Sequence, residues 1–398
     1  MMGEKKSAPR LLMESALVLA APLTVRRRRP TLRLKALIVK PDRIGDLALT
    51  APLIQALATR FGAGRIGLVV SEVNSGLARA IFPGVHLFEA PLYARTARFG
   101  AWRATLRALA HVEAEDAFLF RHFWRPPHVK ALWRFLRAQR KHWVIAAEGR
   151  LAPESGDRVL LPGKSLELRG AAPAGVALDA HLSNLLLAQA YGALVTPLPV
   201  SAPTFSEPPP AELGSRVLMF PFASDPLRDL TAAQVIAICA HLATTHRLAV
   251  LLAATADRTD DLQRLREQFI QRHPASAAFT PKTWTPPNFA AFHQAILAAR
   301  FIVSTDSGPA HLAIIHDRPL VALLGGGQFG VFAPWTLSER QTWIHHPLPC
   351  YGCDWHCRFE RAHCVTDIPP PAVCAAIDRA LSPRNDPGTP AVPAGVSP

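Results

Sequence analysis

Short apolar runs alternating with stretches of helical periodicity fill most of this chain. The first run, 35–39 (KALIV), predicts a strand; in KPDRIGDLALTAPLIQALATRFG after it, Leu47, Leu49, Leu53, Ile54 and Leu57 fall at helical spacing until Gly62. Further strands are predicted at 65–70, 117–120 and 143–146, and helices at 77–82, 102–110 and 180–192. SAPTFSEPPPAEL (201–213) reads as a linker, because repeated proline removes donors and excludes helix. The pattern then restarts with a strand at 216–220, a helix at 232–243, a strand at 248–253 and a charged helix at 260–271. In 301–327 an apolar run is interrupted by Ser304, Thr305, Asp306 and Ser307. A helix at 310–316 follows, then a strand at 320–324 that ends in three glycines.

Strands alternating with helices in both halves predict an α/β protein of two doubly wound, Rossmann-like domains facing across a cleft. The boundaries that follow are an extension at 1–33, a first domain at 34–200, a linker at 201–214 and a second domain at 215–349. A cysteine-rich loop with a C-terminal helix occupies 350–382. The proline-rich end, 383–398, predicts a tail without fixed structure.

Two of the strand-to-helix junctions carry chemistry. A helix start offers unpaired N–H groups and partial positive charge, so Asp306, Ser307, Gly308 and His311 suit a phosphate. Gly45 and Asp46 occupy the matching junction of the first half, where Gly45 is expected to permit a tight turn and Asp46 to face the cleft above the strand ends. Each carboxylate has a plain alternative role as a helix cap, and His311 as a packing residue.

Charge narrows the partners. Lys and Arg total 44 against 30 Asp and Glu, a net +14, which fits phosphorylated substrates, an anionic membrane surface or nucleic acid. The basic residues are spread out and no nucleic-acid module is recognisable, so nucleic acid is not expected. No run reaches the roughly 20 apolar residues of a spanning helix. Lys5, Lys6 and Arg10 precede the apolar stretch 11–25, but Glu14 interrupts it and Arg26 to Arg29 follow where a cleavage site would lie. The expectation is an uncleaved basic helix resting on the inner face of the cytoplasmic membrane, the alternative an extension packed on its own domain or disordered. The cluster RHFWRPPHVK offers Arg121, Trp124 and Arg125 to an anionic glycan, with a solvated basic face as the alternative.

Cys350, Cys353, Cys357 and Cys364 follow a C-x2-C-x3-C-x6-C spacing. In a chain without an export signal, thiolate ligation of a structural zinc is more plausible than disulfides; an iron–sulfur cluster and a metal-free loop are the alternatives.

KPDRIGDLALTAPLIQAL and STDSGPAHLAIIHDRPLVALLGG, at this separation, resemble the heptosyltransferase family of glycosyltransferases over roughly residues 35 to 380. The resemblance implies the GT-B architecture, a nucleoside-diphosphate-sugar donor such as ADP-heptose in the second domain, and a lipopolysaccharide or envelope-glycan acceptor facing the first. It implies inverting transfer without a required metal, with Asp46 as general base. Asp306, Ser307, Gly308 and His311 are the implied donor contacts, Ser224 and Arg228 the phosphate loop, and Asp257 a nucleoside contact; Arg43 joins the acceptor-side candidates. Arg228 stands where the family often has lysine, Leu230 where it usually has tryptophan, and GGGQFGVF departs from its shorter glycine turn. A related enzyme with another donor, a sugar-nucleotide epimerase and a binding module without catalysis are the alternatives.

Overall fold

The computed structural model describes residues 24–26, 28–91, 99–122, 127–146, 158–161, 164–167, 172–200, 202–203 and 216–382. Most of the N-terminal extension and of the linker, and all of the tail, lie outside these residues.

In the first sheet, β1 (Leu32–Lys40) lies at the centre. Beside it on one side are β2 (Ile66–Ser71) and β3 (His86–Ala90), and on the other β4 (Val112–Leu119) and β5 (Ala138–His142), giving the order β3-β2-β1-β4-β5. All four pairings are parallel. Every residue of β2 is buried, as expected of a strand covered by helices on both faces. The helices are α1 (Ile44–Phe61), α2 (Ser75–Ile81), α3 (Phe99–Leu109) and α4 (Pro127–Phe135). The strand read at 143–146 is instead the short β6 (Ile145–Ala146), which joins β7 (Arg158–Leu161) and β8 (Lys164–Glu167) in a small antiparallel sheet. α5 (Leu178–Tyr191) follows and ends at Gly192 in the left-handed conformation.

The second sheet repeats the plan. Its strands are β9 (Val217–Phe220), β10 (Val250–Ala253), β11 (Lys282–Trp284), β12 (Phe301–Thr305), β13 (Leu320–Leu324) and β14 (Gln341–His345). They lie in the order β11-β10-β9-β12-β13-β14, all parallel. Its helices are α6 (Ala232–Thr245), α7 (Thr259–Arg272), α8 (Phe289–Ala298), α9 (Gly308–Ile315), α10 (His363–Thr366) and α11 (Pro370–Leu381). A Thr231–Gln234 capping box starts α6. Among the described residues no helix is long and apolar enough to cross a membrane.

In both sheets the strand order reverses beside the first strand, between β1 and β4 and between β9 and β12. Ligand crevices form at the carboxyl ends of strands at such switch points. One apolar core runs from α1 and β1 through to α9 and β12, so the two switch points are held face to face. Gly45 lies inside α1 without a left-handed φ, contrary to the turn expected of it. Its absent side chain instead makes room for the other domain, since a Cβ there would lie 2.9 Å from His311 Cδ2.

Candidate active site

The cleft between the sheets holds a cavity of about 1180 Å³, open to solvent and lined from both domains. Its first-domain wall is the junction of β1 and α1. Asp46 is the third residue of α1, and its Oδ2 accepts the Arg43 N–H at 2.9 Å. The cap role and the cleft position therefore coexist, and Oδ1 is left for a substrate group.

Behind Asp46 lies a buried charge network. Lys40, 1% exposed at the end of β1, donates to Asp179 Oδ2 on α5 at 2.8 Å and to the Phe120 carbonyl at 2.8 Å, and lies 3.3 Å from Asp42 Oδ2. Burial works against the Lys40 charge, but Asp179, Asp42 and Asp46 outweigh it and hold the ammonium above the usual lysine range. Burial pushes the Asp179 carboxyl up to about 7 even with Lys40 beside it. Arg121 Nη1 pairs with Asp42 Oδ1 at 2.5 Å and is itself buried. His122 Nε2 meets Ser183 Oγ at 2.9 Å. The solvated basic face considered for this cluster is thus absent at Arg121 and His122, which line the cleft. Trp124 and Arg125 lie outside the described residues.

The second-domain wall is the junction of β12 and α9. Ser307 occupies the N-cap position of α9 without bonding a helix N–H; its hydroxyl turns back to the Thr305 carbonyl at 3.2 Å. The Gly308 N–H therefore has no side-chain cap at the cleft, whereas Pro309 has no N–H and the Ala310 N–H donates to the Ser307 carbonyl at 3.1 Å. His311, one turn in, accepts the Trp335 indole N–H on Nδ1 at 2.9 Å. An indole nitrogen only donates, so the neutral ring carries its proton on Nε2, the atom 3.7 Å from Asp306 Oδ1. Trp335 in turn receives the Trp343 indole N–H on its carbonyl at 2.7 Å. Neither tryptophan carries a sequence signal; both reach His311 through the fold.

Beneath α9 lies the loop after β9. Arg228 Nη1 donates to the Asp306 carbonyl at 3.0 Å and Nη2 to Ser224 Oγ at 3.1 Å. Arg43, expected among the acceptor-side residues, reaches across the cleft and donates to the same Ser224 Oγ at 3.0 Å. Two guanidinium groups on one hydroxyl make this the most concentrated positive charge in the cleft. Asp257 is exposed at its rim, near Phe222, whose ring lies 3.9 Å from the Arg258 guanidinium carbon. Leu230 is buried in the second-domain core and does not reach the cleft.

The cysteine-rich loop covers the end of β13. Cys350, Cys353, Cys357 and Cys364 are free thiols, and burial raises Cys353 and Cys364. Among the described residues the group of three metal-capable side chains within ligand reach of one another is not formed by them. It is His241, His246 and Asp378, where both imidazole Nε2 atoms lie 2.6 Å from one Asp378 oxygen and tie α11 to the end of α6.

Behind α9, His293 Nε2 and His316 Nε2 share one hydrogen bond at 2.7 Å. Burial pushes His293 down to about 3 and His316 down to about 4, so both are neutral in the folded protein. Unfolded, each binds a proton near pH 6.5. Their contribution to stability is therefore complete above that pH and lost as pH falls toward 4 and 3. Thermal unfolding from pH 7.5 to 4 is expected to show a loss on the order of 3 kcal/mol per histidine by pH 4, flattened in a His293→Gln, His316→Gln variant. An unchanged pH profile in that variant would assign the acid sensitivity elsewhere.

Two Rossmann-like sheets facing across a cleft, with Asp46 at a helix start on one wall and Asp306 to His311 at a helix start on the other, form the two-domain GT-B arrangement. Residues 234–361 match the family model for glycosyltransferase family 9 (heptosyltransferase). Similar solved structures include E. coli heptosyltransferase WaaC with ADP-2-deoxy-2-fluoro heptose, 16% identical, TM-score 0.57, over 87% of this chain and 99% of that one. E. coli ADP-heptose lps heptosyltransferase II is 18% identical, TM-score 0.54, over 87% and 98%. A glycosyltransferase family 9 protein of Veillonella parvula is 13% identical, TM-score 0.60, over 90% and 99%. At these identities the structures show the fold. No curated protein matches the chain. The family match lies within the second half of the chain, and with the fold it supports a glycosyltransferase similar to the heptosyltransferases.

Proposed function

We propose that this protein transfers a sugar, heptose from ADP-heptose, to a lipopolysaccharide-core or related envelope glycan, with inversion at the anomeric carbon. The observation that carries the reading is the meeting of two helix starts in one cleft. Asp46 stands on one, Asp306, Gly308 and His311 on the other, with Ser224 and Arg228 beneath. Asp46 takes the proton of the acceptor hydroxyl as its oxygen attacks the anomeric carbon. The bond from that carbon to the diphosphate oxygen breaks with its electron pair, and the nucleoside diphosphate leaves. The Gly308 N–H, His311 Nε2–H and Arg228 stabilise its growing charge. Direct displacement by one base and one stabilised leaving group inverts the configuration. The nucleoside lies along Phe222, Asp257 and Arg258, and Arg43 closes on the diphosphate from the opposite domain.

This transfer uses no metal. A structural zinc on the four cysteines, apart from the chemistry, would require their thiols to draw closer together than they lie here, and the basic N-terminal region would rest on the anionic inner face of the cytoplasmic membrane. WaaC is solved with ADP and with ADP-2-deoxy-2-fluoro heptose, which favours the adenine nucleotide for this chain as well. Calorimetric titration with ADP, UDP, GDP and CDP, each with and without chelator, tests the donor. The expected result is micromolar ADP binding, at least tenfold tighter than the others and indifferent to chelator, a difference of about 1.4 kcal/mol. Preference for another diphosphate would reassign the donor on the same fold, and no binding to any would overturn the reading.

A further inference from the structure

The three glycines after β13 do not cradle an anion. Their missing side chains admit the cysteine-rich loop: a Cβ at Gly327 would lie 2.4 Å from the Trp355 ring, one at Gly325 2.6 Å, and one at Gly326 2.1 Å from Tyr351. The loop is pinned there through its backbone, Gly352 N–H to the Gly326 carbonyl and Asp354 N–H to the Gly327 carbonyl, each at 2.8 Å. Gln328, which lines the cleft, donates to Asp354 Oδ1 at 2.6 Å. Asp354 and Trp355 both adopt left-handed φ, 49° and 60°, a conformation that residues with a Cβ hold only where the surroundings impose it. Trp355 Nε1 is buried with no acceptor among the described residues, so packing rather than hydrogen bonding sets the ring.

What this strained, glycine-bedded indole faces is Arg228, whose guanidinium carbon lies 5.6 Å from the ring centroid. Trp355 does not line the cleft; Arg228 does. Arg228 shares Ser224 Oγ with Arg43, so its charge is opposed by a second guanidinium. The electron-rich indole face offsets that repulsion and limits where the arginine fork can swing.

We propose that Trp355 is a positioning residue for the donor: the cysteine-rich loop carries it under Arg228 and so holds the guanidinium at the diphosphate. The inference rests on the phosphate role assigned to Arg228 and extends the donor site to a loop that has no direct contact with the ligand. It also gives the glycine triplet and the loop a shared purpose, since neither Gly325 nor Gly327 tolerates a side chain while Trp355 is in place.

The test is a double-substitution cycle on the full chain, with ADP, UDP, GDP and CDP as calorimetric probes and the tightest wild-type binder carried forward. Trp355→Ala is expected to weaken that binding about tenfold and Trp355→Phe, which keeps a ring face, by about threefold or less. Gly327→Ala, which leaves the indole intact but displaces it, is expected to behave like Trp355→Ala. In an Arg228→Ala background, Trp355→Ala is expected to have no further effect, a coupling that general damage to the loop would not produce. Equal losses with and without Arg228, or full affinity in both Trp355→Ala and Gly327→Ala, would overturn the inference while leaving the donor reading intact. If Trp355→Ala fails to fold, the Phe and Gly327 variants decide it in the same two backgrounds. Wild-type protein that binds none of the four nucleotides would overturn both.

Discussion

Asp46→Asn is expected to lower sugar transfer by about a thousandfold while changing nucleotide affinity by less than about twofold. The substitution keeps the shape of the side chain, and its amide oxygen can still accept the Arg43 N–H that Asp46 accepts at 2.9 Å, so the start of α1 should survive. What it removes is an atom able to take up a proton. Apart from Arg43, whose N–H an asparagine at 46 still accepts, the proposed donor contacts lie on α9 and on the loop after β9, in the other domain, which is why binding and turnover should separate. The measurement is transfer rate at saturating donor and acceptor beside calorimetric nucleotide binding. Unchanged turnover would move the base to another group, and a parallel loss of binding would make Asp46 a structural residue.

The second large effect concerns stability and is asymmetric. Asp179→Ala removes the carboxylate to which the Lys40 ammonium, 1% exposed, donates and leaves it Asp42 at 3.3 Å, a partner already shared with Arg121; the expected cost is about 3 kcal/mol. Lys40→Met is expected to cost less at pH 7. Burial already pushes Asp179 up to about 7, so without the ammonium it takes a proton and becomes neutral. Lysine has no such escape here, because Asp42 and Asp46 continue to hold its charge. Urea unfolding of both variants and of the double Lys40→Met, Asp179→Leu variant reads this out, the double being expected to recover part of the loss. Equal costs for the two single substitutions would show that the network does not behave as buried charge.

Much of the fold was legible from periodicity. β1, β2, β9, β12 and β13 are short apolar runs, α1 and α5 have leucines at helical spacing, and each run is bounded by proline, glycine or a polar cluster. β11, with three residues, and β14, half-buried at the sheet edge, were not legible, because neither is long or apolar enough to show a period. The candidate site divides in the same way. Asp46 and Asp306 to His311 sit at strand-to-helix junctions, where local geometry alone exposes N–H groups and side chains to a ligand. Lys40 offered a faint cue, a lysine ending an apolar strand, yet its partner Asp179 is 139 residues away.

Gly45 and the glycine triplet marked turns in the linear reading and turned out to be clearances for His311, Tyr351 and Trp355. Arg43 was a candidate acceptor contact in the linear reading, and its bond to Ser224 across the cleft came only from the fold. The amino-acid sequence by itself determined the two alternating α/β halves, the strand-to-helix junctions that bear the chemistry, and the family resemblance, because these depend on residues within a few turns of one another. Only the tertiary structure decided which wall each charge faces, which nitrogen of His311 bears the proton, and what stands behind Arg228. Those outcomes depend on distances between residues far apart in the chain, and such distances are set when the two sheets close around one core.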